Sequence, residues 1–128
     1  MTDPAPRGAL TLQTIAMPAD TNANGDIFGG WLMAQMDLGS SVIAREHARG
    51  RVATVAVTGM TFLRPVRVGD VVSIHARLLA TGTTSMTVGI EAWTTRMPDG
   101  ARQRVTQAEF VFVAVDENGA KRPLPEAR

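Results

Sequence analysis

Residues 28–48, FGGWLMAQMDLGSSVIAREHA, are the one segment long enough for a multi-turn helix. Between Phe28 and Ala44 its polar side chains are only Gln35, Asp37, Ser40 and Ser41. A helix that is apolar nearly all round is a buried one, so something broad must wrap it. The flanking sequence supplies strands. Residues 9–17 read as a strand stopped by Pro18, and residues 52–58, VATVAVT, form a β-branched and alanine run. Residues 71–80 alternate, with Val72, Ile74, Ala76 and Leu78 on one side and Ser73, His75 and Arg77 on the other. Residues 86–95 put Met86, Val88, Ile90 and Ala92 on one face, and residues 105–115 set Phe110 and Phe112 opposite Val111 and Val113. Gly82, Pro98-Asp99-Gly100 and Asn118-Gly119 mark the turns, and short links favour antiparallel neighbours. The order predicts an α+β fold, a curved antiparallel sheet of about five strands around one central helix. Such a sheet keeps open edges, and their apolar content predicts pairing with a second copy.

The chain's 128 residues suggest one domain, expected over residues 9–122 between tails at 1–8 and 123–128. The net charge is +1, although twelve of the thirteen basic residues are Arg and only Lys121 is Lys. No basic excess points to nucleic acid. There are no cysteines, hence no disulfide, no thiolate nucleophile and no Cys-ligated zinc. His47 and His75 lack metal-binding spacing, so acid–base work falls to seven Asp and five Glu. The N-terminus shows no apolar signal region, and no run reaches membrane-spanning length. A cytoplasmic protein away from membranes is expected.

One residue resists a purely structural reading. Asp37 lies about two and a half turns into the helix, among Trp31, Met33, Met36 and Leu38, with no basic residue at 33, 34, 40 or 41 to pair with it. It is too far in to cap the helix or to benefit from its dipole. A carboxylate placed so is either a functional group with tuned acidity or one that bonds a neighbouring strand. Asp26 is expected to be the N-cap and Gly50 the C-terminal stop. Asn22 and Asn24 are turn residues or substrate-positioning amides. Gly29 and Gly30 give packing room or oxyanion-facing N–H groups. His75 is expected to be solvated, and His47 to answer the helix dipole.

The stretch MPADTNANGDIFGGWLMAQMD, residues 17–37, resembles hotdog-fold acyl-CoA thioesterases, and more narrowly their short single-domain YciA-like bacterial branch. The pattern N-x-x-G-x-x-F-G-G-W, then M-x-x-M-D, then F-L-R-P-V-x-V-G-D at residues 62–70, is specific in order and spacing. The similarity continues through VFVAVDENG, residues 111–119. The resemblance implies a hotdog fold, two copies sharing a continuous sheet, often three such dimers in a hexamer, and hydrolysis of acyl-CoA to a carboxylate and CoA. No metal or bound cofactor is expected. By resemblance, Asp37 is the catalytic acid, Asn22 reaches the same site, usually from the partner subunit, and Gly29 and Gly30 polarise the thioester carbonyl. Asn24, Phe28, Met60 and Thr61 fall at substrate-binding positions, with Arg64 near the nucleotide. Ser85, Lys121 and Arg122 join them on the CoA side. Thr83 stands where relatives often carry Arg. A non-catalytic acyl-CoA binder is the alternative; a dehydratase would need a His at the loop or helix start.

Overall fold

The computed structural model describes residues 5–126, so residues 1–4 and 127–128 of the expected tails lie outside it. In chain order come β1 (Ala9–Ile15), a 3₁₀ turn at Pro18–Asp20, α1 (Gly29–Ala48), β2 (Val52–Phe62), β3 (Val71–Thr81), β4 (Ser85–Arg96) and β5 (Ala101–Ala114). All five strands form one antiparallel sheet in the order β1-β3-β4-β5-β2. Helix α1 crosses one face and packs mainly on β3 and β4.

Alternation explains the core. Met86, Val88, Ile90 and Ala92 of β4, Val72, Ile74 and Ala76 of β3, and Phe110 and Phe112 of β5 are all buried. They meet one stripe of α1, made by Leu32, Met36, Ala44 and Ala48. Gly39 lets the helix come close: a Cβ there would sit 2.6 Å from Ile74 Cγ2.

The structure corrects several expectations. The helix is not buried all round within one chain. Met33, Leu38 and Val42 are exposed, because a single sheet covers only one side. Asp26 is not the N-cap. Phe28 occupies that position without a side-chain cap bond, since the Thr21–Ile27 bridge carries the chain in extended form past Asp26. Arg49, not Gly50, takes the left-handed conformation at the helix end, with φ 55°. Strand β2 runs on to Phe62 through Gly59 at φ 66°, and β5 starts four residues earlier than expected. His75 is half-buried, not solvated, and its Nδ1 lies 3.2 Å from Gly8 O.

Candidate active site

Asp37 projects from the middle of α1 toward β2. Thr54 Oγ1 donates to its Oδ1 at 2.6 Å. The carboxylate is half-buried within the chain, and Thr54 is exposed. Strand β2 is a sheet edge, with Val55 53% exposed. Its pairing with β5 shifts register between Thr54 and Ala56. Such irregularities bend a strand and re-aim its side chains; this one flanks the hydroxyl that meets Asp37. Next along the helix, Ser40 Oγ donates to the backbone carbonyls of Met36 and Asp37, so it holds the helix rather than the carboxylate.

Sequence reasoning missed Thr54. It carries no periodic signal on a doubly exposed strand. The one available cue was that an unpaired mid-helix carboxylate must find a donor on a neighbouring strand.

Gly29 and Gly30 form the first turn of α1. Beside them lies a cavity of about 360 Å³, lined by Ile27, Phe28, Leu32, Phe62, Val66 and Val105, with Asp26 and Arg64 as its charged members. Gly30 and Asp37 are seven residues apart, hence about 10.5 Å along the axis and on one face. An oxyanion donor and an attacking oxygen each need to lie on the order of 3 Å from the same carbonyl group. The amides and the carboxylate of one chain are too far apart to meet that demand directly.

Asn22 spends its side-chain oxygen locally: Oδ1 accepts from the N–H groups of Asn24 and Asp26 at 2.9 and 3.1 Å. Its amide nitrogen makes no bond within that turn. Asn24 and Phe28 are exposed on the same loop. Met60 packs against the core, and Thr61 O accepts from Thr106 Oγ1. Arg64 donates from Nη1 to Arg104 O at 2.6 Å.

The remaining expected residues sit at the other end of the helix. Ser85 closes the Gly82 turn through its carbonyl. Lys121 bridges to Val115. The Arg122 guanidinium donates to Val115 O and to Ala48 O, the last carbonyl of α1. Since α1 has 20 residues, it spans about 30 Å, so Arg64 and Arg122 serve opposite ends of one chain.

Two carboxylates away from Asp37 are strongly held. Burial pushes Asp70 upward in pKa, but the Arg96 fork and the Arg67 N–H outweigh it and hold the group below its ordinary value. Glu91 is likewise drawn below its ordinary value, against its burial, by Arg7 and by Trp93 Nε1–H. Among the described residues no group of three potential ligands could hold a metal ion, and no helix is long and apolar enough to cross a membrane.

The family model of the thioesterase superfamily matches residues 24–101. The acyl-CoA thioester hydrolase YciA of Salmonella typhimurium is 59% identical over 126 residues, covering 96% of this chain and 95% of that protein. A hexameric thioesterase from Yersinia pestis superposes with a TM-score of 0.92 at 58% identity, over 96% of this chain and 100% of the other. A hexameric broad-specificity acyl-coenzyme A thioesterase gives a TM-score of 0.94 at 48% identity, over 100% of this chain and 90% of the other.

Proposed function

Because this chain belongs to the thioesterase superfamily, we propose that it hydrolyses acyl-CoA thioesters to free carboxylic acid and CoA, with Asp37 as the group that drives the attack. The observation that carries the reading is the Asp37–Thr54 pair: a mid-helix carboxylate with one oxygen fixed by a hydroxyl and set against an open sheet edge. A thioester needs modest help, because a thiolate leaves readily. Asp37 takes a proton from water, whose oxygen adds to the acyl carbon. Alternatively Asp37 itself adds and forms an anhydride that water then opens. In both routes the C–S bond breaks, CoA leaves as thiolate, and it recovers the proton. The amides of Gly29 and Gly30 stabilise the oxyanion.

The 10.5 Å helix arithmetic supports a site shared between two copies, the partner's helix start facing this chain's Asp37. The exposed apolar edge of β2 supports the same pairing. The hexameric solved relatives support three such dimers. Asn22 reaches the partner's site through its free amide nitrogen. Arg64 binds the CoA nucleotide side, and the cavity at the helix start takes an apolar part of the substrate. Asn24, Phe28, Met60 and Thr61 line this half of the site. Ser85, Lys121 and Arg122 meet CoA only from a neighbouring copy, because they lie at the far end of α1. We assign the enzyme to the cytoplasm.

Thiol release on a panel of acyl-CoAs from acetyl to palmitoyl, with a branched and an aromatic member, tests the activity. Light scattering should give an even multiple of the 13.6 kDa chain, six copies being expected. No release from any member, or a stable monomer that hydrolyses them, would refute the reading.

A further inference from the structure

The segment F-L-R-P-V-x-V-G-D ends on a carboxylate that the reaction does not use. Asp70 is 2% exposed. Burying a carboxylate stabilises a fold only when its geometry is well satisfied, and here it is. Oδ1 accepts from Arg96 Nε at 2.9 Å, and Oδ2 accepts from Arg96 Nη2 at 2.8 Å and from the Arg67 N–H at 2.9 Å. The backbone adds to the clamp. Asp70 N–H donates to Arg67 O, Ala16 N–H to Asp70 O, and Gly69 N–H to Ala16 O. At the near end of the segment Leu63 N–H donates to Val105 O, and Arg64 Nη1 to Arg104 O. The stretch between, Leu63–Val66, is one wall of the helix-start cavity.

We propose that Asp70 and Arg96 are positioning residues for substrate: their two-pronged ion pair fixes the Leu63–Val66 wall and, through it, the site of Arg64 opposite the start of α1. The inference rests on the hydrolase reading above. A directional fork is suited to this task in a way an apolar contact is not, because it sets the angle at which the loop enters β3. Arg96 is still 36% exposed at its side chain, so it can be altered without emptying the core.

The test uses the intact oligomer. Arg96→Gln should raise KM for acyl-CoA about tenfold with kcat within about twofold, the pattern of lost binding shared by ground and transition states. Hydrogen exchange at residues 62–70 should quicken by on the order of tenfold or more as the wall loosens. Arg96→Lys keeps charge but not the fork, and should fall between wild type and Arg96→Gln in both readouts. Adding Arg96→Gln to Arg64→Ala should raise KM no further than about twofold, because contacts that act through one another do not add. Unchanged KM in a variant whose Tm has dropped would overturn the proposal, as would a kcat loss matching the KM rise or full multiplication in the double variant. If the unmodified protein hydrolyses no acyl-CoA, the functional reading fails, and unchanged exchange at 62–70 would separately overturn the loop assignment.

Discussion

Replacing Asp37 with Asn removes the negative charge while keeping the shape and the oxygen that accepts from Thr54 at 2.6 Å. The variant should therefore fold, assemble and bind acyl-CoA as before. Its kcat should fall by roughly 10²–10⁴, the usual worth of general-base help, which corresponds to about 2.7–5.4 kcal/mol of barrier. The donor can be tested apart from the charge. A hydrogen bond to a charged group contributes about 1.5–3 kcal/mol, and partial exposure puts this one near the lower end, so Thr54→Val should cost roughly tenfold in kcat. Subunit mixing completes the test. Asn22→Asp keeps the oxygen that the Asn24 and Asp26 amides require but loses the amide donor. If each site takes Asp37 from one chain and Asn22 from its partner, half of randomly mixed dimers carry one intact site. Mixing inactive Asp37→Asn with inactive Asn22→Asp should then restore about a quarter of wild-type activity. Thiol release after subunit exchange, checked by tagged chains, reads it out. Full activity in Asp37→Asn would refute the role of the carboxylate. Absence of complementation despite exchange would refute the sharing of Asn22.

Arg64→Ala should raise KM more than it lowers kcat, with the rise shrinking at high salt, as initial-rate series at two ionic strengths would show. Asp70 and Glu91 have folded-state pKa values below their unfolded ones. The stability they confer is complete above the unfolded values of 3.8 and 4.5 and is lost as pH falls through the folded ones. Denaturant midpoints should therefore drop below about pH 4.5, and the drop should be shallower in Arg96→Gln. Gly39→Ala should destabilise by about 1–3 kcal/mol, since its Cβ meets Ile74 and Thr11 within 3 Å. Gly30→Ala meets nothing within 4 Å and should match or exceed wild-type stability in the same thermal melts.

How much of this was legible in the chain depended on the range of the interaction. The inward faces of β3, β4 and β5 were readable because one side is buried and the other is not, and Met86, Val88, Ile90 and Ala92 fall where alternation puts them. The open side of α1 was misread. Its apolar residues there meet nothing in the chain's own sheet, and Leu38 is left 57% exposed. Asp26 failed as a cap because a bridge outside any strand decides where the helix starts. Asp37 was visible as an anomaly; its donor Thr54 was not, since the contact is fixed by the path of β2 and its register shift. Asp70 stood in a recognisable motif, but its partner Arg96 lies 26 residues on, at the far end of the β3-β4 hairpin. Arg122 was expected at phosphates; that its guanidinium also ties Val115 O to Ala48 O, the end of the helix, was not readable from spacing.

The strand order has a consequence for how the chain is made. β1 pairs only with β3, and β2 only with β5. Nothing in the first half of the molecule can hydrogen-bond to another strand of that half. Synthesis from the N-terminus thus delivers both edge strands and the apolar helix before any of β3, β4 or β5 has emerged to meet them, while the β3-β4-β5 meander closes locally as soon as it appears. β1 finds its partner once β3 has emerged, but β2, with Val55 and Val57 exposed, stays unpaired until Ala114 has been added. In this interval β2 is an open apolar edge, the condition under which two growing copies exchange a strand before either has closed its own sheet.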